Sequence, residues 1–107
     1  MYFDFELKEQ TYKLRLTTKT TMDLEKKLGC NPIGIFGSGD RIPSVTEMVA
    51  ILHASLQANH HGMSIDKVAD IFDKFLEEHT VTEFIPVIVG IYRASGIIAR
   101  GTEEEKN

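Results

Sequence analysis

Two short stretches at the start of the chain alternate apolar and polar residues. Phe3, Phe5 and Leu7 alternate with Tyr2, Asp4 and Glu6, and Tyr12, Leu14 and Leu16 alternate with Lys13, Arg15 and Thr17. A period of two is that of a strand with one buried face. A four-residue loop over 8–11 would make a hairpin pairing Leu7 with Tyr12, Phe5 with Leu14 and Phe3 with Leu16. The same register sets Glu6 opposite Lys13 and Asp4 opposite Arg15, so apolar and charged pairs select one alignment. A lone hairpin is marginal in water, so its apolar face must pack on the rest of the chain.

From there on the period becomes helical. A short helix is predicted over 20–28: Thr18 or Thr20 can cap it, Leu24 and Leu28 repeat at i, i+4, and Gly29 can end it. Residues 30–43 read as a long irregular segment, with turn formers at Asn31-Pro32 and Gly37-Ser38-Gly39-Asp40. Loops of this length inside a small domain are often functional, and Ile35-Phe36 is predicted as an exposed apolar tip.

Three more helices follow. Ser44 and Glu47 make a capping box for one with the stripe Val45, Met48, Val49, Leu52 and Leu56, ended by His60-His61-Gly62. Ser64 caps the next, whose stripe is Ile65, Val68, Ile71, Phe72, Phe75 and Leu76. Asp66, Asp70, Asp73 and Glu77 fall on its opposite face. Thr80 and Glu83 make another capping box, and the last helix runs to about Ala94 or beyond, with Pro86 tolerated near its start or kinking it. From Phe84 to Tyr92 it carries no charge, so it is either central to the core or partly covered by a partner. Phe84, Val87, Ile91 and Ile98 lie on one side of it, with Ile85, Ile88 and Tyr92 on another. Strands followed by helices predict an α+β fold, an N-terminal β-hairpin packed on a cluster of about four α-helices. One domain is expected over 1–100, with a disordered acidic tail over 101–107.

Composition narrows the classes. The 107 residues suit one domain with one modest core. A net charge of −4, with no run of Lys or Arg, argues against nucleic acid as a partner. The N-terminus lacks the basic region and apolar core of a secretory signal. No apolar run approaches the roughly 20 residues of a membrane span. Cys30 is alone, which leaves no internal disulfide and no cysteine metal cluster.

Candidate chemistry is sparse. His60 and His61 are adjacent and do not share a helix face. His53 and His79 lie on other segments, without HExxH spacing or the four convergent ligands of a closed zinc site. Gly34, Gly37 and Gly39 stand in GxxGxG order after a helix, and Asp40 occupies the place where a phosphate loop has Lys. The acidic stripe lacks the alternate spacing and central glycine of an EF-hand. It reads as a solvated helix face, or as a docking face for a basic partner. No serine sits in a GxSxG setting and Cys30 has no identifiable base. No catalytic residue, cofactor or metal is expected, and the chain is expected to act by binding other proteins. The rival of a different class is a small enzyme using His53 or His79 in a cleft.

The order of certain segments carries a resemblance. Tyr12-Lys13-Leu14-Arg15-Leu16-Thr17 leads into Asp23-Leu24-Glu25-Lys26-Lys27-Leu28-Gly29. Asn31-Pro32-Ile33 follows, then Ile51-Leu52-His53-Ala54-Ser55-Leu56-Gln57, and finally Ile91-Tyr92-Arg93-Ala94-Ser95-Gly96. Over about 2–96 this resembles the tail assembly chaperones of long-tailed phages and prophages of Gram-positive bacteria, through packing and turn residues rather than a catalytic signature. The resemblance implies a protein that acts in the host cytoplasm during virion assembly. It would bind the hydrophobic tape-measure protein, keep it soluble and help tail tube subunits polymerise around it. It further implies a longer product made by ribosomal frameshifting near the end of the gene, and Glu105-Lys106-Asn107 is compatible with an adenine run there. The alternative is a tail completion or connector subunit retained in the particle. Ile35, Phe36, Phe84, Val87, Ile91 and Ile98 are the candidate partner-binding residues, with homo-oligomerisation a further possibility for the last helix.

Overall fold

The computed structural model describes residues 1–36 and 41–100. The chain is α+β: a two-stranded antiparallel hairpin and four α-helices around one core. Strands β1 (Phe3–Glu6) and β2 (Thr11–Leu14) pair Phe3 with Leu14, Asp4 with Lys13, Phe5 with Tyr12 and Glu6 with Thr11. This corrects the expected register by two residues. The chain reverses more tightly than foreseen, over Lys8-Glu9, because Leu7 N donates to Gln10 O at 2.8 Å. A shift of two leaves every side chain on its face, so Phe5, Leu14 and Leu16 are still buried. Asp4 still meets a cation, now Lys13 at 3.3 Å, while Arg15 lies over the Tyr2 ring.

Helix α1 (Thr18–Leu28) begins earlier than the stripe alone suggests. Thr17 is its N-cap, and Thr20 returns the bond by accepting from Thr17 N at 2.8 Å. Gly29, at φ 75°, closes it in the left-handed conformation that glycine adopts without strain. The segment expected to be irregular then winds into a 3-10 helix, Pro32–Phe36. Asn31 Oδ1 caps it by accepting from Gly34 N at 2.9 Å. The predicted exposed tip is therefore not there: Ile35 is 0% exposed, and Phe36 packs edge-on against Tyr92. The reason is a buried bond from the core, in which the Tyr92 hydroxyl donates to Pro32 O at 2.9 Å. Gly37, Gly39 and Asp40 of the proposed glycine cluster, and the tail over 101–107, lie outside the described residues.

Helices α2 (Val45–Leu56) and α3 (Ile65–Leu76) start at Ser44 and Ser64, whose hydroxyls accept from Glu47 N and Lys67 N. Most of both expected stripes is buried, but Val45, Ile65 and Leu76 are exposed. Thr80 and Glu83 open a second 3-10 turn, Val81–Phe84, and α4 (Ile85–Ser95) continues from it with Pro86 in its first turn. Phe5 reaches from the hairpin into a cluster with Phe72, Phe75 and Phe84, ring centroids 5.1–6.1 Å apart. Beyond β2, Arg15 N donates to Ser55 O at 3.0 Å and Leu16 N to Ser95 Oγ at 2.8 Å, which ties the hairpin to α2 and α4.

Candidate protein-binding surface

The residues first proposed for partner binding do not form one surface. Phe84 and Ile91 are fully buried, as are Ile88 and Tyr92 from the other side of α4, so this helix is central to the core. Val87 and Ile98 are partly exposed at its rim. Ile35 is buried in the core and Phe36 is half-covered, with its ring against Tyr92. The uncharged stretch from Phe84 to Tyr92 thus finds its cover inside the fold.

Exposed apolar surface gathers instead where α1 ends and α2 begins. Val45 and Ile65 are the first residues of their helices, each directly after a capping serine, and are 48% and 45% exposed. With Leu28, Val49 and Ala50 they line a groove of ≈ 630 Å³. That is within the roughly 300–1,000 Å³ of hollows that accept ligand or side-chain groups. Lys27 and Glu47 also line it, one charge of each sign. The groove adjoins a second hollow of ≈ 350 Å³ between α1 and α2, which shares Lys27 and Ala50 and reaches His53. Together they follow the seam between two helices.

The polar residues here are held in place. Glu47 accepts from Ser44 N and from Arg41, both at 2.8 Å, and Arg41 also donates to Ile35 O. Burial works against ionisation of Glu47, but the bonds from Arg41 and Ser44 outweigh it and hold its carboxyl below the usual range. His53 Nε2 lies 3.1 Å from Met63 O. Burial, and then the charge of Lys27, lower its pKa, so the neutral ring is the form that fits. The His60 ring packs edge-on against Tyr12 at 5.2 Å. Among the described residues no group of three or more His, Cys, Asp or Glu could hold a metal ion. Asp66, Asp70, Asp73 and Glu77 face solvent along α3. No described helix is long and apolar enough to cross a membrane.

Sequence reasoning missed Leu28, Val45, Val49, Ala50 and Ile65 as a surface because it counted Val45, Val49 and Ile65 toward buried stripes. The available signal was position: a residue straight after an N-cap sits at the end of the stripe, where the neighbouring helix need not cover it. Comparison with protein-family models, with curated proteins and with solved structures gave no match.

Proposed function

We propose that the chain is an assembly chaperone, without catalytic activity or cofactor, that holds an apolar helix of a client along the groove between α1 and α2. The observation that carries the binding part is that groove: two exposed apolar residues, Val45 and Ile65, each at the start of a helix, with half-buried Leu28, Val49 and Ala50 between them and Lys27 and Glu47 beside them. Such a surface suits an amphipathic helix laid into it by its apolar face. The client is the tape-measure protein of a long-tailed phage or prophage. That identity rests on the resemblance of the segments from Tyr12 to Gly96, and it sets the work in the host cytoplasm beside the polymerising tail tube subunits.

Co-expression with a tape-measure protein of a long-tailed phage is the test. The soluble fraction of the client should rise severalfold, and mass spectrometry of purified virions should find this chain missing. Its presence in the particle would favour the connector-subunit reading, and equal client solubility with and without it would count against both binding and client.

A further inference from the structure

Among the described residues strand β1 has one strand neighbour, β2. The turn bond from Leu7 N to Gln10 O sets the alternation of the ladder, so Phe5–Tyr12 and Phe3–Leu14 are the mutually bonded pairs. The N–H and C=O groups of Asp4 and Glu6 therefore point away from β2, and no bond reaches them from elsewhere in the described chain. The other edge of the hairpin is closed near its end, where Arg15 N donates to Ser55 O. Along the open edge runs a groove of ≈ 320 Å³, with Phe75, Pro86 and Val87 as its apolar lining across from the strand. Its charged lining is Asp4, Glu6 and Glu83, with His79; among the described residues no Lys or Arg lines it.

We propose that β1 accepts a third strand from a partner protein, an extended segment in which basic and apolar residues alternate. Main-chain bonds to Asp4 and Glu6 would supply the pairing, and side chains would supply the choice of partner. On the outer face of the hairpin Asp4 already has Lys13, but Glu6 stands opposite Thr11 and has no cation across the ladder. A Lys or Arg of the added strand would meet these carboxylates, and its alternate residues would face Phe75, Pro86 and Val87. A second copy of β1 would bring Asp4 and Glu6 beside their own kind, and like charges at facing positions repel. The acidic edge thus admits a basic strand and turns away self-association. This surface shares no residue with the groove between α1 and α2, so its success or failure leaves the chaperone reading untouched.

The test uses the full chain, labelled with nitrogen-15, and a capped Lys-Val-Lys-Val-Lys-Val peptide. Two N-methylated isomers, one blocked at the lysine amides and one at the valine amides, complete the set. Saturating peptide should slow hydrogen exchange at the Asp4 and Glu6 amides. Only one of the two isomers should lose binding, by about tenfold or more, because alternate amides of a strand face its neighbour. A Glu-Val-Glu-Val-Glu-Val peptide should not bind. The variant Glu6→Lys should weaken the basic peptide while the circular dichroism of the protein stays the same. Equal binding of both isomers, protection confined to other residues, or no binding of the basic peptide would each overturn the proposal.

Discussion

At Gly90 the backbone of α4 comes so near the hairpin that an added Cβ would lie 2.3 Å from two ring atoms of Phe3. Gly90→Ala should therefore displace that ring. The overpacking, about 1–3 kcal/mol, set against the ~1 kcal/mol that Ala gains over Gly in a helix, leaves a net loss of about 0–2 kcal/mol. In a Phe3→Ala background the same change should instead stabilise by up to ~1 kcal/mol. Urea midpoints of the four proteins check both signs. Tyr92 gives a pH dependence. Burial first, then the charges of Cys30 and Glu47, push its phenol well above the ordinary value of 10.0. The unfolded chain releases that proton near the ordinary value while the folded chain keeps it, so stability falls as the pH rises through it. Denaturation midpoints measured between about pH 9 and pH 11 should drop further for the wild type than for Tyr92→Phe. At neutral pH that variant should lose about 1 kcal/mol with the bond to Pro32. Neither residue advertised its role in the sequence: Gly90 and Tyr92 stood in an apolar run, and only the partner across the fold gives each its task.

Helix starts were legible because capping is local chemistry. Ser44 with Glu47, and Ser64, bond within three residues of themselves, whereas the first helix is capped by Thr17 and not by the expected Thr18 or Thr20. The anchoring of the hairpin was not legible, since Leu16 and Ser95 are far apart in the chain and joined by one bond. The two kinds of serine should differ on mutation. Ser44→Ala and Ser64→Ala each remove a cap at the protein surface and should cost about 1 kcal/mol. Ser95→Ala leaves the N–H of buried Leu16 without its acceptor and should cost about 1–3 kcal/mol. Thermal or urea unfolding of the three variants would show the order. The hairpin register followed the same division: the alternation placed the faces, while the turn bond of Leu7 to Gln10 chose the alignment. The 3-10 helix Pro32–Phe36 was hidden because its cause, the Tyr92 hydroxyl, lies on another helix.

For the whole molecule, the order of strands and helices was enough for the α+β class, because each period of apolar residues demands a covering layer. Which apolar surface stays uncovered was another matter. It depends on how four helices share one core, and they enclosed Phe84 and Ile91 while leaving Val45 and Ile65 outside. The account's central claim is that these last two, with Leu28, hold the client. Exposed side chains can be changed at little cost to stability, so Val45→Asp with Ile65→Asp should keep the far-ultraviolet circular dichroism and the urea midpoint. The most direct measurement is size-exclusion chromatography with light scattering on the co-expressed tape-measure protein. The account predicts a soluble complex of defined mass with the wild-type chain, and its loss, with the client aggregated, for the double variant. A folded double variant that forms the same complex would contradict it.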